Sequence, residues 1–184
     1  YTDWAGEAHA ISDLDGDGWD DLIVGAPQAD MSAGSNAGAA YIHYGPITDS
    51  GLLEDGGATI GGESSLDRLG KRIHAGDIDG DGLNDLVIGA EENDNYASIA
   101  GAVYLFLGDG GRMSGEVDAA DADTRFYATQ AAMEFGQTLI FPGDVNGDGR
   151  DDLLIGAPRS DEIEESAGGV YLFLGHETDY SLGN

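Results

Sequence analysis

A chain of 184 residues, 41% of them hydrophobic, carries enough apolar surface to bury a core, which excludes a disordered acidic tail. Its 36 acidic residues against 7 basic ones give a formal charge of -29, a surface that repels nucleic-acid phosphates and anionic lipid heads and attracts cations. With no cysteine, any bound metal must be held by oxygen or imidazole, and no stretch approaches the roughly 18 to 20 apolar residues that a membrane span needs.

In chain order, the sequence opens on Tyr1 without a basic-then-apolar leader, as expected of a chain processed or cut from something longer. Ala5-Gly6 then precedes an acidic run, Asp13-Leu14-Asp15-Gly16-Asp17-Gly18-Trp19-Asp20-Asp21, which leads into the apolar Leu22-Ile23-Val24 and Gly25-Ala26-Pro27. A second apolar run closed by glycine follows at 38–45, and a short strand is predicted at Ala58-Thr59-Ile60-Gly61. The same order returns twice. Leu69-Gly70 precedes the acidic run at 77–85, followed by Gly89-Ala90-Glu91, an apolar run at 101–108 and a predicted strand at Thr124-Arg125-Phe126-Tyr127. Phe135-Gly136 precedes the acidic run at 144–152, followed by Gly156-Ala157-Pro158 and an apolar run at 168–175. The acidic runs begin at 13, 77 and 144, roughly 65 residues apart, which is room for a four-stranded unit with loops and too long for a simple solenoid coil. Each unit reads as strand, acidic loop, strand, strand, strand. With 31 glycines and no sustained helical period, an all-β fold is expected.

These residues resemble the FG-GAP repeat, named for a Phe-Gly pair and a Gly-Ala-Pro triplet that bracket a calcium loop. The resemblance covers nearly the whole chain. The triplet is intact at Gly25-Ala26-Pro27 and Gly156-Ala157-Pro158, and the pair only at Phe135-Gly136; Glu91 replaces the proline, and Ala5 and Leu69 replace the phenylalanine. The resemblance implies β-propeller blades of four-stranded antiparallel sheet, as in the integrin α-chain head. The units are expected at 1–57, 58–122 and 123–184, with the fourth strands of the first two near 58–61 and 124–127. The third is expected to lack its own fourth strand, which should lie some 15 residues or more past Gly175, while the sequence stops at Asn184. Closed propellers have about four to eight blades, so three make an incomplete propeller, completed by further blades of a longer chain or by a neighbouring copy.

The acidic loops carry the chemistry. Carboxylates at loop positions 1, 3, 5 and 9, with a main-chain carbonyl at 7, wrap oxygen around a hard cation, and about three calcium ions are expected. The first loop offers Asp13, Asp15, Asp17, the carbonyl of Trp19 and Asp21. Its counterparts are Asp77, Asp79, Asp81, Leu83 and Asp85, then Asp144, Asn146, Asp148, Arg150 and Asp152. Asn146 makes the third loop one charge less acidic, so weaker binding is expected there. An EF-hand needs a glutamate at position 12 and flanking helices, whereas position 12 is Val24, Ile88 or Ile155 within an apolar run. Ordinary Asp-Gly turns explain one such loop but not three alike, because carboxylates this close repel one another without a shared ligand.

Other chemistry is thin. His9, His43, His74 and His176 hold no matching repeat positions, no nucleophile elbow or phosphate-cradling loop appears, and pairs such as Glu164-Glu165 are uninformative among so many acids. No enzyme activity is expected. Tyr41, Tyr104 and Tyr171 read as packing residues, while the loops at 28–37, 92–100 and 159–167 vary most and suit a protein or carbohydrate partner. The expected function is a calcium-stabilised extracellular binding or adhesion module, secreted or at the cell surface, without membrane insertion or nucleic-acid binding. The alternatives are a self-assembling structural subunit and an accessory domain of a larger secreted enzyme.

Overall fold

The computed structural model describes residues 3–48, 57–161 and 167–176. Three sheets follow one another along the chain. The first contains β1 (His9–Ser12), β2 (Asp21–Ala26), β3 (Ala39–His43) and β4 (Ala58–Gly61); the second β5 (Arg72–Gly76), β6 (Asp85–Ala90), β7 (Ala102–Phe106) and β9 (Thr124–Tyr127). The third contains β10 (Thr138–Gly143), β11 (Asp152–Ala157) and β12 (Gly169–Phe173) among the described residues. Neighbours within each of these sets pair antiparallel, so each sheet is a meander. Strands occur at both positions expected for a fourth strand, 58–61 and 124–127. No α-helix occurs among the described residues, and position 12 of each loop lies on β2, β6 or β11, as a blade requires and an EF-hand does not.

One strand was not expected. β8 (Gly115–Asp118) arises from the connection between β7 and β9 but joins the first sheet, running parallel to β4 with Ala58 opposite Gly115 and Gly61 opposite Asp118. A 3-10 turn, Ala119–Asp121, then returns the chain to its own sheet; the Asp118 side chain caps it by accepting from the Ala120 N–H.

The middle sheet is buried on both faces, which is why β6 and β7 read as unbroken apolar runs rather than alternating ones. Leu86, Ile88, Tyr104 and Phe106 pack with Ile23, Ile42 and Ile60 of the first sheet. Val87, Val103, Leu105 and Phe126 face Leu139, Phe141, Leu153 and Ile155 of the third.

The glycine pairs explain how closely the sheets approach. The N–H of Gly6, Gly70 and Gly136 donates to the carbonyl of Gly25, Gly89 and Gly156 in its own sheet. Gly70 does so with φ +91, a conformation that L side chains rarely adopt. Between sheets, a Cβ at Gly25 would lie 1.9 Å from the Gly70 carbonyl oxygen, so these backbones touch and only glycine fits. The residue before Gly70 and Gly136 plugs the preceding sheet: Leu69 N–H donates to Ala37 O, Phe135 N–H to Ala100 O, and both side chains are buried. Leu69 therefore does the work of the absent phenylalanine. Glu91, in place of proline, is buried and engages Lys71.

At the end of the sheets away from the acidic loops, a polar network ties the first sheet to the second. Asp67 is 1% exposed. Its Oδ2 accepts from Ser64 N–H at 3.0 Å and Asn93 Nδ2 at 2.9 Å, while Oδ1 is buried without a partner. Burial pushes its carboxyl up from the ordinary 3.8 to about 6. The folded state thus holds an extra proton between these values, and the stability Asp67 confers when protonated is lost as pH rises through that window. The ceiling on this effect is about 3 kcal/mol. Asp67→Asn is expected to melt higher than the native sequence at pH 7.5 in chelator and to show a flatter melting profile between pH 4 and 6. Identical profiles would contradict the assignment.

Candidate metal loops

Each acidic loop joins the first two strands of its sheet, and the three share one hydrogen-bond frame. The position 1 carboxylate accepts the N–H of the glycine at position 6: Asp13 from Gly18 at 2.9 Å, Asp77 from Gly82 at 2.9 Å and Asp144 from Gly149 at 2.8 Å. Position 5 N–H donates to the position 3 side chain, and position 7 N–H to the position 5 carboxylate, in all three. Gly82 turns the chain at φ +91, which a side chain at that position would oppose.

Position 9 does more than the spacing indicates. Asp21, Asp85 and Asp152 open β2, β6 and β11 and are 0% exposed. One oxygen of each accepts the N–H of loop position 2, from Leu14, Ile78 or Val145. The other accepts from the glycine two residues past the third strand, from Gly45, Gly108 or Gly175, at 2.8 to 2.9 Å. A ligand candidate thus also braces the loop against its own sheet. The signal was visible only as the glycine closing each apolar run.

Loops one and two gather carboxylates. Asp13, Asp15 and Asp21 each bring an oxygen within 4.8 Å of the others, as do Asp77, Asp79 and Asp85. Asp13 Oδ1 is buried there without a hydrogen-bond partner. An orphaned carboxylate oxygen facing other carboxylates suits an oxygen-preferring divalent cation, so the donor set fits calcium. Burial raises the carboxyls of Asp21, Asp79 and Asp85, the last to about 7, and in each case neighbouring aspartates add to the rise. In loop three, Asn146 Nδ2 instead donates to Asp148 Oδ2 at 2.9 Å, and the Gly149 N–H, first among several backbone donors, holds the Asp144 carboxyl below the usual range.

The loops also touch one another. Asn84 Nδ2 reaches the Asp13 carbonyl at 3.3 Å, Asp151 N–H donates to the Asp77 carbonyl at 2.8 Å, and Arg150 Nε reaches the Asp79 carbonyl at 3.0 Å. Between loops one and two opens a cavity of about 550 Å³ lined by Leu14, Tyr44, Asp79, Phe106 and Arg112 among others. Of the histidines, His43 is buried and His74 packs against Phe141 at 6.0 Å. Tyr104 is buried, while Tyr41 and Tyr171 are half-buried.

The FG-GAP repeat profile matches residues 5–43, 70–106 and 137–173, each match running from the first strand through the third. The chain is 33% identical over 172 residues to integrin alpha-PS5 of Drosophila melanogaster, covering 88% of this chain and 16% of that protein. It is 31% identical over 159 residues to phosphatidylinositol-glycan-specific phospholipase D of Bos taurus, covering 83% of this chain and 18% of that protein. Against integrin alpha-4 of Xenopus laevis the identity is 33% over 159 residues, with 85% and 14% covered. The chain spans less than a fifth of the length of these relatives. The matched repeats, the shared loop frame and the glycine contacts together place this chain in the FG-GAP repeat family.

Proposed function

We propose that this chain is a calcium-stabilised extracellular binding module of the integrin α-like propeller type, built from the units 1–57, 58–122 and 123–184. The observation that carries it is the pair of partly buried three-carboxylate groups in loops one and two, with the partnerless Asp13 oxygen among them. Asp13, Asp15, Asp17, the Trp19 carbonyl and Asp21 would hold one ion. Asp77, Asp79, Asp81, the Leu83 carbonyl and Asp85 would hold a second, and Asp144, Asn146, Asp148, the Arg150 carbonyl and Asp152 a third. Bound calcium supplies positive charge that cancels carboxylate repulsion within each loop. The protein's own frame does the rest: the position 9 aspartate sets the loop against the sheet, and the position 6 glycine N–H orients the position 1 carboxylate.

Partner contacts fall to the loops at 28–37, 92–100 and 159–167; the β2–β3 and β6–β7 connections lie at the opposite end of their sheets from the acidic loops. The integrin relatives support an adhesive role at the cell surface or in secretion. Binding of the calcium-loaded chain to an array of matrix proteins and glycans, lost when the exposed Asp30, Ser35, Asp94, Tyr96 and Ser98 are together exchanged for glycine or alanine with the melting temperature unchanged, is the expected result. Equal binding after exchange would oppose it. The phospholipase D relatives favour a second reading, in which these blades accompany a catalytic part elsewhere in a longer chain.

Single residues test the loop assignment. Asp79 offers a carboxylate to the second group, whereas Asn84 at position 8 points its amide to loop one. Calorimetry is therefore expected to show Asp79→Ala weakening the second site far more than Asn84→Ala. Equal losses would mean that the ligand positions are misassigned.

A further inference from the structure

The connection between β7 and β9 makes two contacts with the first unit. β8 lengthens the first sheet, and Arg112, just before it, reaches into acidic loop one. Its Nε donates to Asp15 Oδ2, and its Nη2 donates to Asp17 Oδ2 at 2.6 Å and to the Gly45 carbonyl at 3.3 Å. The guanidinium carbon stands 5.0 Å from the centre of the Tyr44 ring, and the next residue, Met113, donates its N–H to Tyr44 Oη at 2.8 Å. The contact is therefore built from two carboxylates, a carbonyl, an aromatic face and a backbone anchor. Asp15, at the centre of it, has a side chain only 3% exposed.

Asp15 and Asp17 are positions 3 and 5 of the proposed ligand set. A guanidinium is permanently charged and cannot yield a proton to make room for a second cation. A divalent ion and Arg112 thus contend for the same oxygens and repel one another at contact distance.

Resting on the calcium reading of the loops, we propose that Arg112 is a resident cation of loop one. It lowers that loop's affinity for divalent metal, and metal uptake there loosens the segment 112–118 from the first sheet. Linkage makes the two effects equal: the factor by which Arg112 weakens metal binding is the factor by which metal weakens the arm's hold. Loop one then binds divalent metal more weakly than loop two, although their carboxylate counts are equal, and so responds to changes in cation concentration at a higher range. The opposite arrangement, in which Arg112 stays and supports the ligands, reverses the sign of the test.

The test is a calcium titration of the whole chain followed by amide NMR. The N–H groups of Gly18, Gly82 and Gly149 each bond to their own loop's first aspartate and so report the three loops separately. Arg112→Gln is expected to tighten loop one by at least about fivefold and leave loops two and three unchanged, with Arg112→Lys between. In the native sequence, hydrogen exchange of the β8 amides is expected to quicken as loop one fills. Unchanged or weaker binding at loop one in Arg112→Gln, with loops two and three still filling, overturns the inference and leaves the calcium reading standing. Absence of saturable binding at all three loops overturns both.

Discussion

Stripping calcium is expected to lower the melting temperature of this chain by roughly 8 to 16 °C. Extracellular calcium sites bind at roughly 10⁻⁴ to 10⁻³ M, and at ten times that concentration each ion stabilises the folded state by about 1.4 kcal/mol. Three ions contribute about 4 kcal/mol, a large share of a domain's total stability. For a chain of this size each kilocalorie moves the midpoint by about 2 to 4 °C. The physical source is relief of repulsion among Asp13, Asp15 and Asp21, and among Asp77, Asp79 and Asp85, carboxylates crowded and partly buried. Because burial, with a smaller contribution from neighbouring aspartates, already raises the carboxyls of Asp21, Asp79 and Asp85, the loss on chelation should shrink as pH falls towards 5. Magnesium, which keeps its waters and demands octahedral geometry, should restore less. A midpoint unmoved by chelator at pH 7.5 would oppose the reading.

The largest single-residue effect is expected at position 9, and it should persist without calcium. Asp21→Ala removes the acceptor for Leu14 N–H and Gly45 N–H inside the first sheet. Each buried donor left unsatisfied costs about 1 to 3 kcal/mol, so the variant should lose about 2 to 6 kcal/mol in chelator as well as in calcium. Asp17→Ala is the control. That side chain is exposed and accepts from Trp19 N–H and Arg112, so its loss should cost about 1 kcal/mol at most in chelator. Urea unfolding of both variants in chelator separates the two roles. Equal destabilisation would mean that position 9 is a ligand and nothing more.

Much of this architecture was legible because the local signals agree with one another. Three acidic loops, each followed by an apolar run and closed by Gly-Ala, leave little freedom in strand order, and the short segments at 58–61 and 124–127 are indeed strands paired with the third strand of their units. What escaped the sequence depends on contacts distant along the chain. Gly115-Glu116-Val117-Asp118 has neither apolar alternation nor β-branched enrichment, and it becomes a strand only because β4 offers an unpaired edge. Arg112 meets Asp15 and Asp17 across 97 and 95 residues, and nothing in its neighbourhood marks it as a partner of loop one. The brace at position 9 was hidden for another reason: an aspartate at a ligand spacing already has an explanation, so its second role shows only when its hydrogen bonds are traced. Leu69 and Glu91, departures from the repeat pattern, lie buried in the positions the pattern assigns, one plugging the preceding sheet and the other paired with Lys71.

Anomalous diffraction from crystals grown in calcium tests the central claim most directly, because it places the ions rather than counting them. Peaks are expected within loops 13–21, 77–85 and 144–152, each coordinated at about 2.3 to 2.6 Å by oxygens of positions 1, 3, 5, 7 and 9. The weakest should lie at the Asn146 loop or at the loop that Arg112 contests. Peaks confined to other acidic groups, such as Glu63 and Asp67, with none in the three loops, would contradict the account.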